Sequence, residues 1–105
     1  MNLPNIISKL VKAQNKFDSH AYADCFTETA VVHDEGKTHK GKTEIQNWID
    51  TANKEYKASM KPLDYNETGH VLSAEISGTF PGSPVILKYH FEFGEQLIES
   101  LKITG

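Results

Sequence analysis

The spacing of the apolar residues changes near Ala58, from the three- and four-residue steps of helices to the two-residue alternation of strands. Before Ala58, apolar residues recur along one side of three helical segments, with a short strand region between the second and the third. After it, alternating segments are separated by short turns, and the alternation is most regular in Val85–Phe93. Helices followed by consecutive hairpin strands indicate an α+β domain.

Three helices are predicted from this spacing. The first starts at Pro4, which suits a first helical turn because its missing N–H costs nothing there, and runs for about four turns. The second is the short segment His20–Phe26, which ends in a predicted turn at Thr27–Thr29. The third follows Gly41 and keeps its apolar residues on one side as far as Tyr56.

Six strands are predicted, and four of them form a meander after the third helix. Pro62 cannot donate a hydrogen bond to a sheet, so the strand that contains it is expected at a sheet edge or with a bulge. The long strands are apolar on one face, so helices should cover that face, and strong twist would leave a cone-shaped space beneath them. The predicted strands are Ala30–Asp34, Thr38–Lys40, Met60–Asn66, His70–Phe80, Val85–Phe93 and Leu97–Thr104.

Length and charge limit the classes of function. With 105 residues the chain is expected to form one domain, 1–105. Its net charge of -3 offers no basic face to phosphates, so no nucleic-acid partner is expected. No apolar run reaches the ~18 residues of a membrane span, and the N-terminus lacks a signal peptide's apolar core, so we expect a cytoplasmic protein without membrane contact. All eleven basic residues are lysines, which excludes sites that require a guanidinium group to hold a carboxylate or a phosphate.

Asp34 is the first candidate for chemistry, because it ends an apolar strand. Side chains alternate along a strand, so Asp34 shares a face with Val32, and His33 lies on the opposite face. If Val32 faces the core, Asp34 faces a cavity, where burial would raise its pKa and suit it to proton transfer. The alternative is a surface Asp34 that caps the turn at 35–37. For His33 we expect an exposed position or a dimer interface.

Tyr89 is the second candidate, since it shares a strand face with Leu87 and Phe91. Its hydroxyl could donate a hydrogen bond to a ligand carbonyl; the alternative is a core tyrosine that bonds to the backbone. Aromatic side chains could line a cavity around these two residues, or they could form ordinary core. The candidate lining residues are Tyr22, Phe26, Val32, Trp48, Phe80 and Phe91.

No metal site is expected, although four histidines lie on predicted strands or turns, at His33, His39, His70 and His90. No pair of them has the helical i, i+4 spacing, and none has a cysteine partner. No cofactor is expected either.

Several stretches resemble the nuclear transport factor 2-like superfamily, and within it the SnoaL-like polyketide cyclase and ketosteroid isomerase branch. They are Asp18, the FTETAVVHD stretch at 26–34, the GKTEI entry to the third helix at 41–45, Trp48, and the KYHFEF alternation at 88–93. The resemblance covers nearly the whole chain. It implies a cystatin-like roll, in which a cone-shaped, curved antiparallel sheet packs on three N-terminal helices.

The same resemblance implies roles for two residues. Asp34 falls where the isomerases have their general-base carboxylate, and Tyr89 falls where they have a protonated Asp that donates to the oxyanion. The isomerases also have a donor tyrosine in the first helix, at about the position of Leu10 here, and this chain has no tyrosine in that helix. Limonene-epoxide-hydrolase-like relatives need three site residues, Asp, Arg and Asp. This chain contains no arginine, so such a site is excluded.

Two functions remain open from the sequence, and both use a small apolar or aromatic molecule as the partner. In the first, a cofactor-independent isomerase or cyclase uses Asp34 to take a proton next to a carbonyl, and Tyr89 stabilises the enolate oxygen. In the second, the same fold is a non-catalytic ligand-binding or dimerisation module. A homodimer through the outer sheet face is expected in either case. The residues that favour it, because they mix apolar and small polar side chains, are Val71, Ser73, Ile86, Lys88, His90 and Glu92.

Overall fold

A computed structural model describes all 105 residues, Met1–Gly105. Three helices precede most of the sheet, and α3 is the longest of them. The helices are α1 (Asn5–Asn15), α2 (Ser19–Ala23) and α3 (Gly41–Tyr56). The strands are β1 (Phe26–Asp34), β2 (Lys37–Lys40), β3 (Ser59–Asn66), β4 (Val71–Ser77), β5 (Val85–Gly94) and β6 (Leu97–Thr104).

All six strands belong to one sheet, in the order β2-β1-β6-β5-β4-β3. The predicted α+β architecture, a curved sheet with three helices, is confirmed. The sheet is mixed, however, because β1 pairs in parallel with β6 while the other neighbouring strands pair antiparallel. A parallel pair needs a long connection between its strands, and here α3 and the meander β3–β5 supply that connection.

The start of β1 differs from the sequence prediction. Helix α2 ends at Ala23, and Thr27–Thr29, predicted as a turn, belong to the strand. The backbone N–H of Ile98 donates to the carbonyl of Cys25 at 2.9 Å, which joins this segment to β6. The Thr27 hydroxyl also donates to Glu99 at 2.6 Å. The register of β1 against β6 shifts between Phe26 and Val31, so β1 contains a bulge between these two residues.

The meander agrees more closely with the prediction. Strand β3 lies at the edge of the sheet, and its register shifts between Pro62 and Asp64, as expected for a strand that contains proline. Strand β4 ends at Ser77, shorter than the predicted strand through Phe80.

The core lies between the helices and one face of the sheet. Residues along β4 alternate between buried and half-buried, so a single face of that strand points inward. On α3 the inward residues are Ile45, Ile49 and Asn53, which are four residues apart. No helix combines the length and the apolar character needed to cross a membrane.

Candidate active site

The inner face of the sheet and helix α3 surround a cavity of about 870 Å³. Twelve of its 23 lining residues are hydrophobic, so a molecule inside it would meet apolar and polar side chains in about equal number. The aromatic lining residues are Tyr22, Trp48, Tyr56, Phe80 and Tyr89, and the acidic ones are Asp34, Glu35, Glu44 and Glu55.

Asp34 is the last residue of β1 and lines the cavity. Glu35 and Gly36, with φ of 52° and 75°, form the two-residue turn to β2, a conformation typical of tight hairpins. On the other side, Val32 is fully buried, so the alternation of the strand directs Asp34 inward. His33 points the other way, is exposed, and lies 3.2 Å from the Thr38 hydroxyl.

The environment of Asp34 favours its neutral form. Burial is the main cause of its raised pKa, and the negative charge of Glu35 adds to it. The charge of His39 and donation from the Trp48 side chain act in the opposite direction, but the net shift is upward. Asp34 can therefore hold or release a proton closer to neutral pH than an ordinary aspartate.

Two tyrosines, Tyr22 from α2 and Tyr89 from β5, line the same cavity as this carboxyl group. Both are buried and both line the cavity. Burial raises the pKa of each phenol, the charge of Asp34 raises both further, and the Tyr22 pKa is also raised by Tyr89. The three groups are therefore close enough to interact. Because their pKa values are raised, the phenols stay protonated at neutral pH, as hydrogen-bond donors must.

Trp48 connects α3 to this group of residues. Its ring stacks on His39 with centroids 5.3 Å apart, and it meets Tyr22 edge-on at 6.1 Å. Both partners and Trp48 line the cavity, so the indole forms part of the wall next to Asp34. Trp48 is half-buried, which is consistent with a wall residue and not with a core residue.

The structure divides the predicted lining residues into two groups. Tyr22, Trp48 and Phe80 line the cavity together with Asp34 and Tyr89. The other three, Phe26, Val32 and Phe91, lie in the hydrophobic core and do not line it. All three do point to the inner face of the sheet, but the cavity occupies only part of that face, and packed side chains fill the rest.

Sequence reasoning missed an amide pair in the cavity wall, Gln14 of α1 and Asn53 of α3. Each is 7% exposed and lines the cavity. The side chain of Gln14 donates to Asn53 at 3.0 Å and to the carbonyl of Ala58 at 2.8 Å. The signal was present in the sequence, since position 53 continues the four-residue spacing of Ile45 and Ile49.

No group of three or more His, Cys, Asp or Glu side chains is arranged to hold a metal ion.

The raised pKa of Asp34 predicts how stability depends on pH. The folded chain binds this proton more tightly than the unfolded chain, so the free energy of unfolding should fall as pH rises above ~4 through the folded pKa. Asp34→Asn removes this dependence. At pH 7 the variant should be as stable as the wild type or more stable, and it should lose less stability between pH 5 and pH 7. Urea unfolding at both pH values measures this; a less stable variant at pH 7 would contradict it.

Comparison with known proteins gives similar structures over nearly the whole chain. No protein-family model and no curated protein matches the sequence. Among solved structures, SMa1630 from Sinorhizobium meliloti, described as a candidate polyketide cyclase, is 35% identical, with 97% of this chain and 95% of that chain covered and a TM-score of 0.90.

Two more distant structures share the fold. A protein from Catenulispora acidiphila with a ketosteroid isomerase-like fold, in complex with trimethylamine, is 16% identical over 99% of this chain and 87% of its own, with a TM-score of 0.87. A computationally designed 17-OHP binder is 13% identical over 96% of this chain and 89% of its own, with a TM-score of 0.80. With the 35% identity to SMa1630 over nearly the full length of both chains, the chain belongs to the SnoaL-like polyketide cyclases of the nuclear transport factor 2-like superfamily.

Proposed function

We propose that the chain binds a small, mainly apolar carbonyl compound in this cavity and moves a proton on it, as a cofactor-independent isomerase or cyclase. The observation that carries this proposal is the position of Asp34. It is a carboxyl group with a raised pKa, in a cavity that is also lined by the two phenols Tyr22 and Tyr89. A base and neutral hydrogen-bond donors in one cavity are the components that enolate chemistry requires.

In the proposed reaction, ionised Asp34 takes a proton from the carbon next to the ligand carbonyl. The C–H bond breaks, an O–H bond forms on Asp34, and the electron pair moves onto the carbonyl oxygen. The hydroxyl of Tyr89 donates to that oxygen and stabilises its developing charge. Asp34 then returns the proton to the same carbon or another one. In a cyclisation, the enolate carbon instead forms a C–C bond to a second carbonyl carbon, and the resulting alkoxide takes the proton from Asp34.

Tyr22 supplies a second donor in this mechanism. The isomerases that the chain resembles have their main donor tyrosine in the first helix, where this chain has none. Tyr22 of α2 lines the same cavity as Tyr89 and Asp34, and the charges of both raise its pKa. We therefore assign Tyr22 the donor role, next to Tyr89, instead of a role only in the apolar wall.

The wall and the fold neighbours support an apolar ligand. The space of about 870 Å³ is large enough for a compound of two or more rings. Neighbours of the same fold, in complex with trimethylamine or designed to bind 17-OHP, are consistent with small-molecule binding in this architecture.

Exchange of α-protons tests the proposal without knowledge of the natural substrate. 2-Acetylnaphthalene has an apolar bicyclic body and a methyl group next to its carbonyl. In D2O the chain should accelerate the loss of the methyl signal in proton NMR, relative to buffer alone. Binding without exchange, followed by the fluorescence of Trp48 (the one tryptophan in the chain), would favour the non-catalytic ligand-binding module instead.

We also propose a homodimer through the outer face of the sheet. Ile86, which is 57% exposed, pairs in register with Glu75, and Val71 pairs with His90 on the same face. A sheet face that mixes apolar and polar side chains in this way fits a sheet-to-sheet contact. Light scattering at micromolar concentration should give about twice the monomer mass of 11.8 kDa.

Ile86→Lys should shift the chain toward the monomer, because it would bury a charge in the contact. Leu63→Lys is the matched control, since Leu63 is 41% exposed but lies on the edge strand β3. A wild-type chain with the monomer mass would contradict the proposed dimer.

A further inference from the structure

We propose that a groove between α1, α2 and the start of β6 is a second binding site, which takes a small organic anion with an apolar tail. The groove has a volume of about 340 Å³ and shares no lining residue with the cavity that contains Asp34. Its volume is within the usual range of small-molecule sites. The inference is independent of the proposed function, since it concerns different residues and a different ligand.

One side of the groove is a row of lysines. Residues 1–17 contain three of the eleven lysines, Lys9, Lys12 and Lys16, and none of the 14 acidic residues, in a chain whose net charge is -3. The three lysines are three and four residues apart, so they lie along one side of α1 and its C-terminal end. All three are exposed and all three line the groove, and we call them the groove lysines.

The groove lysines have no anionic partner within the chain. The four ion pairs of the chain use Lys42, Lys54 and His20 as their cations. No carboxylate oxygen lies within 4.0 Å of the ammonium nitrogen of a groove lysine. These ammonium groups are therefore free to form charge-assisted hydrogen bonds with the anionic group of a ligand.

Two acidic residues also line the groove, and both have other partners. The carboxylate of Asp18 caps α2, since it accepts a hydrogen bond from the backbone N–H of Ala21 at 3.0 Å. The carboxylate of Asp24 lies 3.4 Å from His20 Nδ1 and 3.8 Å from Lys42 Nζ. Three lysines against two carboxylates with partners of their own leave the groove with an excess of positive charge, which favours an anion.

The floor of the groove is apolar and uncharged. Burial raises the pKa of the Cys25 thiol to about 11, so this group is neutral at pH 7. The other apolar lining residues come from α1, α2 and β6, so the packing of three elements forms the floor. The apolar lining residues are Ile6, Ala13, Ala21, Cys25 and Leu97. A ligand that matches both the lysines and this floor combines an anionic group with a short hydrocarbon part.

Three probes that separate charge from hydrocarbon test this inference. Octanoate has both parts, octan-1-ol has the hydrocarbon chain without the charge, and acetate has the charge without the chain. In nitrogen-15 NMR titrations, octanoate should move the backbone amide signals of Ala13, Ala21 and Leu97. Its affinity should be about ten-fold higher than that of octan-1-ol, the effect expected from two exposed ion pairs together. Acetate at the same concentrations should leave these signals in place.

A variant without the groove lysines tests which groups bind the anion. Lys9→Gln, Lys12→Gln and Lys16→Gln in one chain should lower the affinity for octanoate to that for octan-1-ol. Affinity for octan-1-ol itself should stay as in the wild type, because the apolar floor is unchanged. Glutamine has nearly the same helix propensity as lysine, so α1 should remain intact.

The matched control removes the same amount of charge elsewhere. Lys57→Gln, Lys61→Gln and Lys102→Gln lie at exposed positions outside both the groove and the larger cavity, and this variant should keep the preference for octanoate. Equal binding of octanoate and octan-1-ol by the wild type would overturn the second site. So would octanoate that moves only signals of the larger cavity, such as those of Tyr89 and Ile103.

Discussion

Asp34→Asn is expected to slow α-proton exchange on 2-acetylnaphthalene by about 10²- to 10⁴-fold, the usual contribution of a general base. The amide keeps the shape of the side chain but cannot take a proton. Tyr22, Tyr89 and the apolar wall remain, so the ketone should still bind. The measurement is the initial rate of loss of the methyl signal at saturating ketone, for variant and wild type in the same buffer.

Asp64→Asn is the matched control for this experiment. Asp64 is an exposed aspartate on the edge strand β3, outside the cavity, so its replacement should leave the exchange rate unchanged. If Asp34→Asn exchanges the ketone as fast as the wild type, Asp34 is not the base, and the binding-module function should replace the enzyme.

Phe26→Ala should cost about 3–5 kcal/mol of stability, the largest loss expected from a single substitution in this chain. Phe26 is fully buried, belongs to the core cluster and contacts the ring of Tyr22, with centroids 5.7 Å apart. Truncation would leave a cavity between β1 and the helices that neighbouring side chains could fill only in part. The measurement is the free energy of unfolding from urea melts.

Trp48→Ala provides the comparison. If Trp48 were fully buried, its truncation would cost about as much stability as that of Phe26. In the structure Trp48 is half-buried and forms the cavity wall, so the loss should be well below that range, while ketone binding should weaken. A larger loss for Trp48→Ala than for Phe26→Ala would contradict this division between core and cavity.

The fold could be predicted from the sequence because its main signals are local. The change of apolar spacing near Ala58 located the helices and the meander, and the alternation of β5 identified its inner face. The parallel pairing of β1 with β6 could not be predicted in this way, since it joins residues some 70 positions apart, such as Val31 and Ser100. Pairing at that distance depends on how the whole chain packs, not on the pattern of either strand.

Part of the site could also be predicted, because its signal is local in the sequence. Alternation in β1 directed Asp34, and not His33, toward the cavity. It could not separate cavity wall from packed core, because Phe91 and Tyr89 share one strand face and only the packing of the helices decides which of them borders open space. It also did not identify the amide pair. The spacing places Asn53 on the buried side of α3, but its hydrogen bond with Gln14 joins residues 39 positions apart.

The pKa of the Asp34 carboxyl group, from a carbon-13 NMR titration, tests the central claim most directly. Burial in the cavity and the charge of Glu35 are expected to hold this pKa above the ordinary aspartate value of about 3.9. Tyr22 and Tyr89 should remain protonated through the same titration, because their pKa values are raised as well. A pKa for Asp34 at or below the ordinary value would mean a solvated or capping carboxylate, and it would contradict the proposal that Asp34 is the acid and base of an active site.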